Sequence, residues 1–255
     1  MPSPPLRIAI LECDTPVPAV HTKYGPYGQI FTHLLKASAD TLTAQYPDLC
    51  STTGLELSAY DVVTAQSYPP SLDSLDAILL SGSKHNSFDD EPWILKLVEY
   101  VKTVLAQDRV RIIGVCFGHQ ILGRALGCEV KRSEEGWELS VVAMDLTKKG
   151  QEVFGRTSLA LHQMHRDIVV SYPPGAEELA YTDKCAVQAM YVPKRYISVQ
   201  GHPEFTEDMM REIVKLRHAT GLFTDEMEKD AIERVDRYQD GLVVAATFLR
   251  FLLEE

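Results

Sequence analysis

The run Arg111-Ile112-Ile113-Gly114-Val115 passes without a polar break into Cys116-Phe117-Gly118, and a helical stretch, 119–126, follows at once. An unalternated apolar run of this length reads as a strand buried on both faces, the kind from which parallel sheets are built. A strand that turns directly into a helix is half of a βα unit, so an α/β fold is expected. Glycines two residues either side of Cys116 remove Cβ atoms that would collide in so sharp a bend. The pattern is the G-x-nucleophile-x-G elbow, with Cys where Ser is more common. Such a turn strains the backbone and lifts the side chain from the carboxyl end of the sheet. It also aims the first N–H groups of the new helix at the sulfur, favouring thiolate over thiol.

The rest of the amino-terminal half repeats this alternation. Residues 7–12 and 76–80 read as buried strands, the second ending in Ser81-Gly82-Ser83. A helix is expected over 28–46, where Ile30, Leu34, Leu35, Ala39 and Leu42 recur at helical spacing. Pro92 opens another, with Leu95, Val98, Val101 and Leu105 as its apolar face. The order β-α-β-β-α-β-turn-α implies an open, mainly parallel sheet with helices on both faces. Strands at 137–144, 158–161, 185–191 and 196–200 suggest a small antiparallel extension. Helices at 207–220, 225–239 and 242–253, broken at Gly221 and Gly241, form a helical tail. Without a linker, repeat or low-complexity tract, residues 1–255 are expected to be one domain.

Composition removes several classes. With 25 Lys and Arg against 36 Asp and Glu, the net charge of −11 argues against nucleic acid or an anionic membrane as partner. No apolar stretch reaches the roughly 18 residues of a membrane span, and the start lacks the pattern of a secretory signal. The five cysteines, Cys13, Cys50, Cys116, Cys128 and Cys185, form no CxxC pair. A reduced, cytoplasmic protein without disulfide framework or structural zinc is expected. A free cysteine is most often a small buried hydrophobe. That reading suits the other four, whereas Cys116 has the setting of a nucleophile.

A thiolate nucleophile needs a base, and the base an orienting group. Gln200-Gly201-His202-Pro203-Glu204-Phe205 supplies both after the strand at 196–200. Residues i and i+2 of extended chain project to one side, so His202 and Glu204 share a face. Alone, His-Pro-Glu would read as a surface turn; beside the elbow it reads as base and orienter.

Together, G-V-C-F-G-H-Q and Q-G-H-P-E-F resemble the class I, triad-type glutamine amidotransferase family, over roughly residues 7–204. The resemblance implies a flavodoxin-like glutaminase fold and a Cys-His-Glu site that cleaves glutamine to glutamate and ammonia through a γ-glutamyl thioester. It carries nucleophile, general base and orienter onto Cys116, His202 and Glu204. Gly82 and Phe117 N–H become the oxyanion-hole candidates, although Ser81-Gly82-Ser83 departs from the family's more usual G-G-P. Gln120 is implied as a substrate contact, as are Glu135, Gly136 and Trp137, and the segment with His162, Gln163 and His165. His162 and His165 are read as satisfied polar residues near the site rim, with no metal and no cofactor.

The family's glutaminases commonly feed a synthase. With only 51 residues after Glu204 and no phosphate-binding loop, this chain is read as a separate subunit serving an ammonia-accepting synthase, or as a stand-alone γ-glutamyl peptidase acting on glutathione or its conjugates. A non-catalytic regulatory member is a further reading, against which the retained triad residues speak. An α/β-hydrolase would place the acid before the histidine, the reverse of His202 and Glu204. The amphipathic tail reads as a cover for the sheet or as a homodimer contact.

Overall fold

The apolar runs of the amino-terminal half are buried strands in this computed structural model, which describes residues 2–255. The chain runs β1 (Leu6–Glu12), α1 (Pro18–Tyr24), α2 (Tyr27–Leu42), β2 (Leu55–Asp61), β3 (Ala77–Leu80), α3 (Pro92–Leu105), β4 (Arg111–Val115) and α4 (Phe117–Ala125). It continues through β5 (Val130–Arg132), β6 (Glu138–Leu146), α5 (Lys148–Phe154), β7 (Ser158–His165), β8 (Asp167–Val169), β9 (Glu177–Tyr181), β10 (Ala189–Val192) and β11 (Tyr196–Val199). Three helices close it: α6 (Glu207–Ala219), α7 (Asp225–Arg234) and α8 (Gly241–Leu252).

Nine strands form one sheet in the order β2-β1-β3-β4-β11-β10-β9-β6-β7. The first five are parallel, and the last four add an antiparallel extension. Side-chain alternation splits the core into two layers. Ile8, Ile10, Leu79 and Ile113 face Phe31, Leu35, Phe248 and Leu249 of α2 and α8. Ala9, Leu11, Ile78 and Ile112 face Trp93, Leu97, Ile121 and Leu122 of α3 and α4. Each fully buried Leu, Ile or Phe contributes about 1.5–3 kcal/mol, against about 0–1 kcal/mol for an exposed ion pair. These layers, and not the surface charges, hold the sheet.

Several boundaries differ from expectation for local reasons. On α3 the buried face is Ile94, Leu97, Val98, Val101 and Val104, while Leu95 is 42% exposed. The helix expected over 28–46 ends at Leu42. Cys185 closes a tight turn with Thr182, so that strand begins only at Ala189. The helix expected over 225–239 stops at Arg234, because Asp240 exchanges hydrogen bonds with Ala160 at 2.7 and 2.9 Å and draws the chain toward the sheet. Of the tail, α8 packs on α2 and covers the sheet, whereas α7 buries only Ala231. The short α1, α5, β5, β8 and β9 were not anticipated. Among the described residues no helix is long and apolar enough to cross a membrane.

Candidate active site

The parallel register decides what meets at the carboxyl edge of the sheet. Leu80 lies opposite Gly114, and Val115 opposite Val199, so β3, β4 and β11 end at one level. The residues that follow them, Gly82, Cys116 and His202, therefore converge. Cys116 caps α4 with φ 51° and ψ −103°, a strained conformation for a residue with a side chain. Its N–H donates to Val199 O at 2.9 Å, and Gly118 N–H to Ser81 O at 3.2 Å, which ties the elbow to both neighbouring strands. The flanking glycines are sterically required. A Cβ on Gly118 would lie 2.4 Å from Leu80 O, and one on Gly114 2.9 Å from Gly118 O.

His202 and Glu204 do share a face. His202 Nδ1 is 2.7 Å from Glu204 Oε1, both side chains are buried, and the Phe205 ring stacks on the imidazole at 4.0 Å. His202 N–H donates to His162 O at 2.8 Å, so the far strand β7 returns to brace it. Burial works against a charged imidazole here, but the negative charges of Cys116 and Glu204 outweigh it and raise His202 to about 10. Gly82 sits between Cys116 and His202. A Cβ there would lie 2.7 Å from His202 Cε1 and 3.7 Å from Cys116 Cβ. The Ser81-Gly82-Ser83 loop is pinned and not loose: buried Ser81 accepts from Cys13 N–H at 2.9 Å and donates to Gly82 O at 3.0 Å. Phe117 opens α4, so its N–H has no intrahelical acceptor.

Two cavities adjoin the pair. One of about 260 Å³ opens over Cys116, lined by Asn86, Gln120, Trp137, His165 and Arg166 among others. One of about 400 Å³ lies on the His202 side, between the segment leading to α1 and the end of α6. Arg217 and Leu222 border both.

The remaining sequence candidates separate. Trp137 and His165 reach the cysteine cavity. Gln120 does so with its amide already engaged by Asp167 O, Gln200 Oε1 and Ser87 Oγ at 2.8–3.0 Å, an arrangement suited to positioning. Glu135 is exposed, and Gly136 borders a different cavity, of about 680 Å³, beyond Trp137. Gln163 is buried against Gln188, with Nε2 to Oε1 at 3.1 Å. His162 is not a satisfied group at the rim: strand pairing in β7 buries it with Nδ1 unpartnered among the described residues, and burial, with the charge of His202, lowers it to about 4.

Two polar groups had escaped sequence reasoning. Glu138 is buried with His165 Nε2 at 3.0 Å, Thr182 at 2.8 Å and Gln188 at 2.7 Å. Burial opposes its charge, yet His165 and Thr182 hold it below the usual carboxylate range. Glu138, His165 and Cys185 are close enough to suggest a metal site. Glu138 is already satisfied, however, and burial pushes the Cys185 thiol up to about 12, so the donor set suits hydrogen bonding better. Arg217, the other, lies in the last turn of a tail helix where no motif marks it.

Residues 48–217 match the family model "Glutamine amidotransferase class-I". A glutamine amidotransferase-like protein of Schizosaccharomyces pombe is 34% identical over 249 residues, 97% of this chain and 99% of its own. Gamma-glutamyl peptidase 2 of Arabidopsis thaliana is 30% identical over 172 residues, 66% of this chain and 69% of that one. The crystal structure of a glutamine amidotransferase from Thermotoga maritima shares the fold, with a TM-score of 0.72 at 15% identity over 97% of this chain and 98% of that one.

Proposed function

Because the chain belongs to the class I glutamine amidotransferase family, we propose that it hydrolyses a γ-glutamyl amide bond through Cys116, His202 and Glu204, as one catalytic domain whose residues 207–253 form a helical tail. The observation that carries this reading is the convergence of a strained Cys116 with the buried His202–Glu204 pair at 2.7 Å. The sulfur attacks the γ-carbonyl carbon, and the oxyanion accepts hydrogen bonds from Gly82 and Phe117 N–H. His202 passes its proton to the amide nitrogen, the C–N bond breaks, and a γ-glutamyl thioester remains. Water then gives a proton to His202 and attacks the thioester carbon. The C–S bond breaks, glutamate leaves, and His202 is protonated again. Glu204 keeps the imidazole in the tautomer that serves the sulfur.

Glutamine, releasing ammonia, is the smallest substrate of this chemistry. A γ-glutamyl peptide is a second reading, favoured by the roughly 400 Å³ cavity beside His202. The test is release of glutamate from glutamine and γ-glutamyl peptides by the purified protein and by Cys116→Ala. We expect the variant to lose at least about 10⁴-fold in kcat/KM with an unchanged melting temperature. Wild-type protein that releases glutamate from none of these would overturn the reading.

A further inference from the structure

Among the described residues Arg217 forms no salt bridge. Its backbone is held where α6 ends: Gly221, at φ 74°, folds the chain back so that Leu222 and Phe223 N–H donate to Arg217 O at 2.9 and 3.3 Å. Its side chain leans over the Trp137 ring, Cζ 5.8 Å from the centroid. Its Nε is enclosed with no hydrogen-bond partner, and among the described residues no carboxylate lies within 4.0 Å of the guanidinium. Arg211 on the same helix, by contrast, pairs with Glu207 at 2.9 Å, and Arg132 with Asp167 at 3.1 Å. Arg217 is half-buried: Nε is shut off from water without a partner, which is costly, while the rest of the guanidinium borders the two cavities. The arrangement fits a group kept ready for an anionic guest.

Where that guest sits follows from the two cavities. The acyl carbon must reach Cys116, which faces the smaller one. The leaving nitrogen must reach His202, which faces the larger one. Ammonia needs little more room than a water, about 30 Å³; the cavity on its side is about 400 Å³. Its walls include Val17, Met164, Ile213 and Leu222, and Lys84, which also borders it, is taken by Asp14 at 2.8 Å.

We propose that Arg217 anchors the carboxylate of the leaving amine, so that the preferred substrate is a γ-glutamyl amide of an amino acid or short peptide with an apolar side chain and a free carboxylate. This rests on the hydrolytic reading above. A charge-assisted hydrogen bond to Arg217 rewards the carboxylate, and the apolar walls reward the side chain.

The experiment compares γ-glutamyl-leucine, its carboxyl-terminal amide and glutamine as substrates of wild type, Arg217→Gln and Arg217→Lys, with melting temperatures as a control on folding. Wild type should prefer the free acid over the amide by about tenfold or more in kcat/KM, with the difference in KM. That ratio should fall to within about twofold in Arg217→Gln and recover in part in Arg217→Lys. A wild-type ratio near one overturns the proposal. So does an equal loss in Arg217→Gln on all three substrates, which would put Arg217 on the γ-glutamyl side. Failure of wild type on every substrate condemns the hydrolytic reading instead.

Discussion

The elbow has a side that faces the candidate site, the proposed reactive side, and a floor, and each buries a histidine. On the reactive side His202 lies between Cys116 and Glu204 and is raised to about 10. On the floor His119, one turn into α4, has Ser198 Oγ at 2.9 Å and an unpartnered Nε2. Burial, with the charge of His165, lowers it to about 3. Desolvation pushes both imidazoles toward neutrality, so the opposite outcomes come from the neighbours. A buried histidine is a proton carrier where negative groups flank it and a neutral packing piece where they do not.

Glu204 carries one of the charges that set the two sides apart. Glu204→Gln should keep the shape of the reactive side and remove its charge. Turnover should fall by about 10³–10⁴-fold, and His202 should titrate lower by NMR. An unchanged His202 titration would show that Cys116 alone holds the proton there.

The glycines provide the next test. Gly118→Ala drives a Cβ against Leu80 O on the floor and should cost about 1–3 kcal/mol, read as a lower denaturation midpoint. Gly82→Ala instead displaces His202 and should cost activity, about 10²-fold, with little change in midpoint. Equal effects of the two on stability would erase the distinction between floor and reactive side.

A further effect is in pH. His119 and His162 are lowered in the fold, to about 3 and about 4, so the unfolded chain binds more protons below about 6.5. Their contribution is present above pH 6.5 and is lost progressively as pH falls toward 4 and 3. His202 is raised, so its contribution is present below about 6.5 and is lost as pH rises through about 10. Melting temperature against pH should fall on both limbs, and His119→Gln should flatten the acid limb alone. An acid limb of unchanged slope in that variant would remove the floor from the argument.

Much of the frame was legible because it is written in short-range patterns. The run 111–115 and its elbow, and the i, i+2 spacing of His202 and Glu204, need only backbone geometry to be read. The antiparallel half was less legible. Strands of three to five residues carry little periodicity, as β5, β8 and β9 show. The segment 162–167 could be named but not sorted, and strand pairing turned Gln163 toward Gln188 and His165 toward Glu138.

The sequence alone determined the elbow, the alternation of strands and helices along the chain and the candidate residues for chemistry, since each depends on neighbours a few positions apart. Only the tertiary structure decided which of those residues meet, which buried histidine is raised and which lowered, and that Arg217 borders the same cavity as His202 without a salt bridge. Those outcomes depend on groups separated by tens of residues in the chain, brought together by parallel register at one edge of a sheet. Their electrostatic consequences arise only after the surrounding water has been displaced.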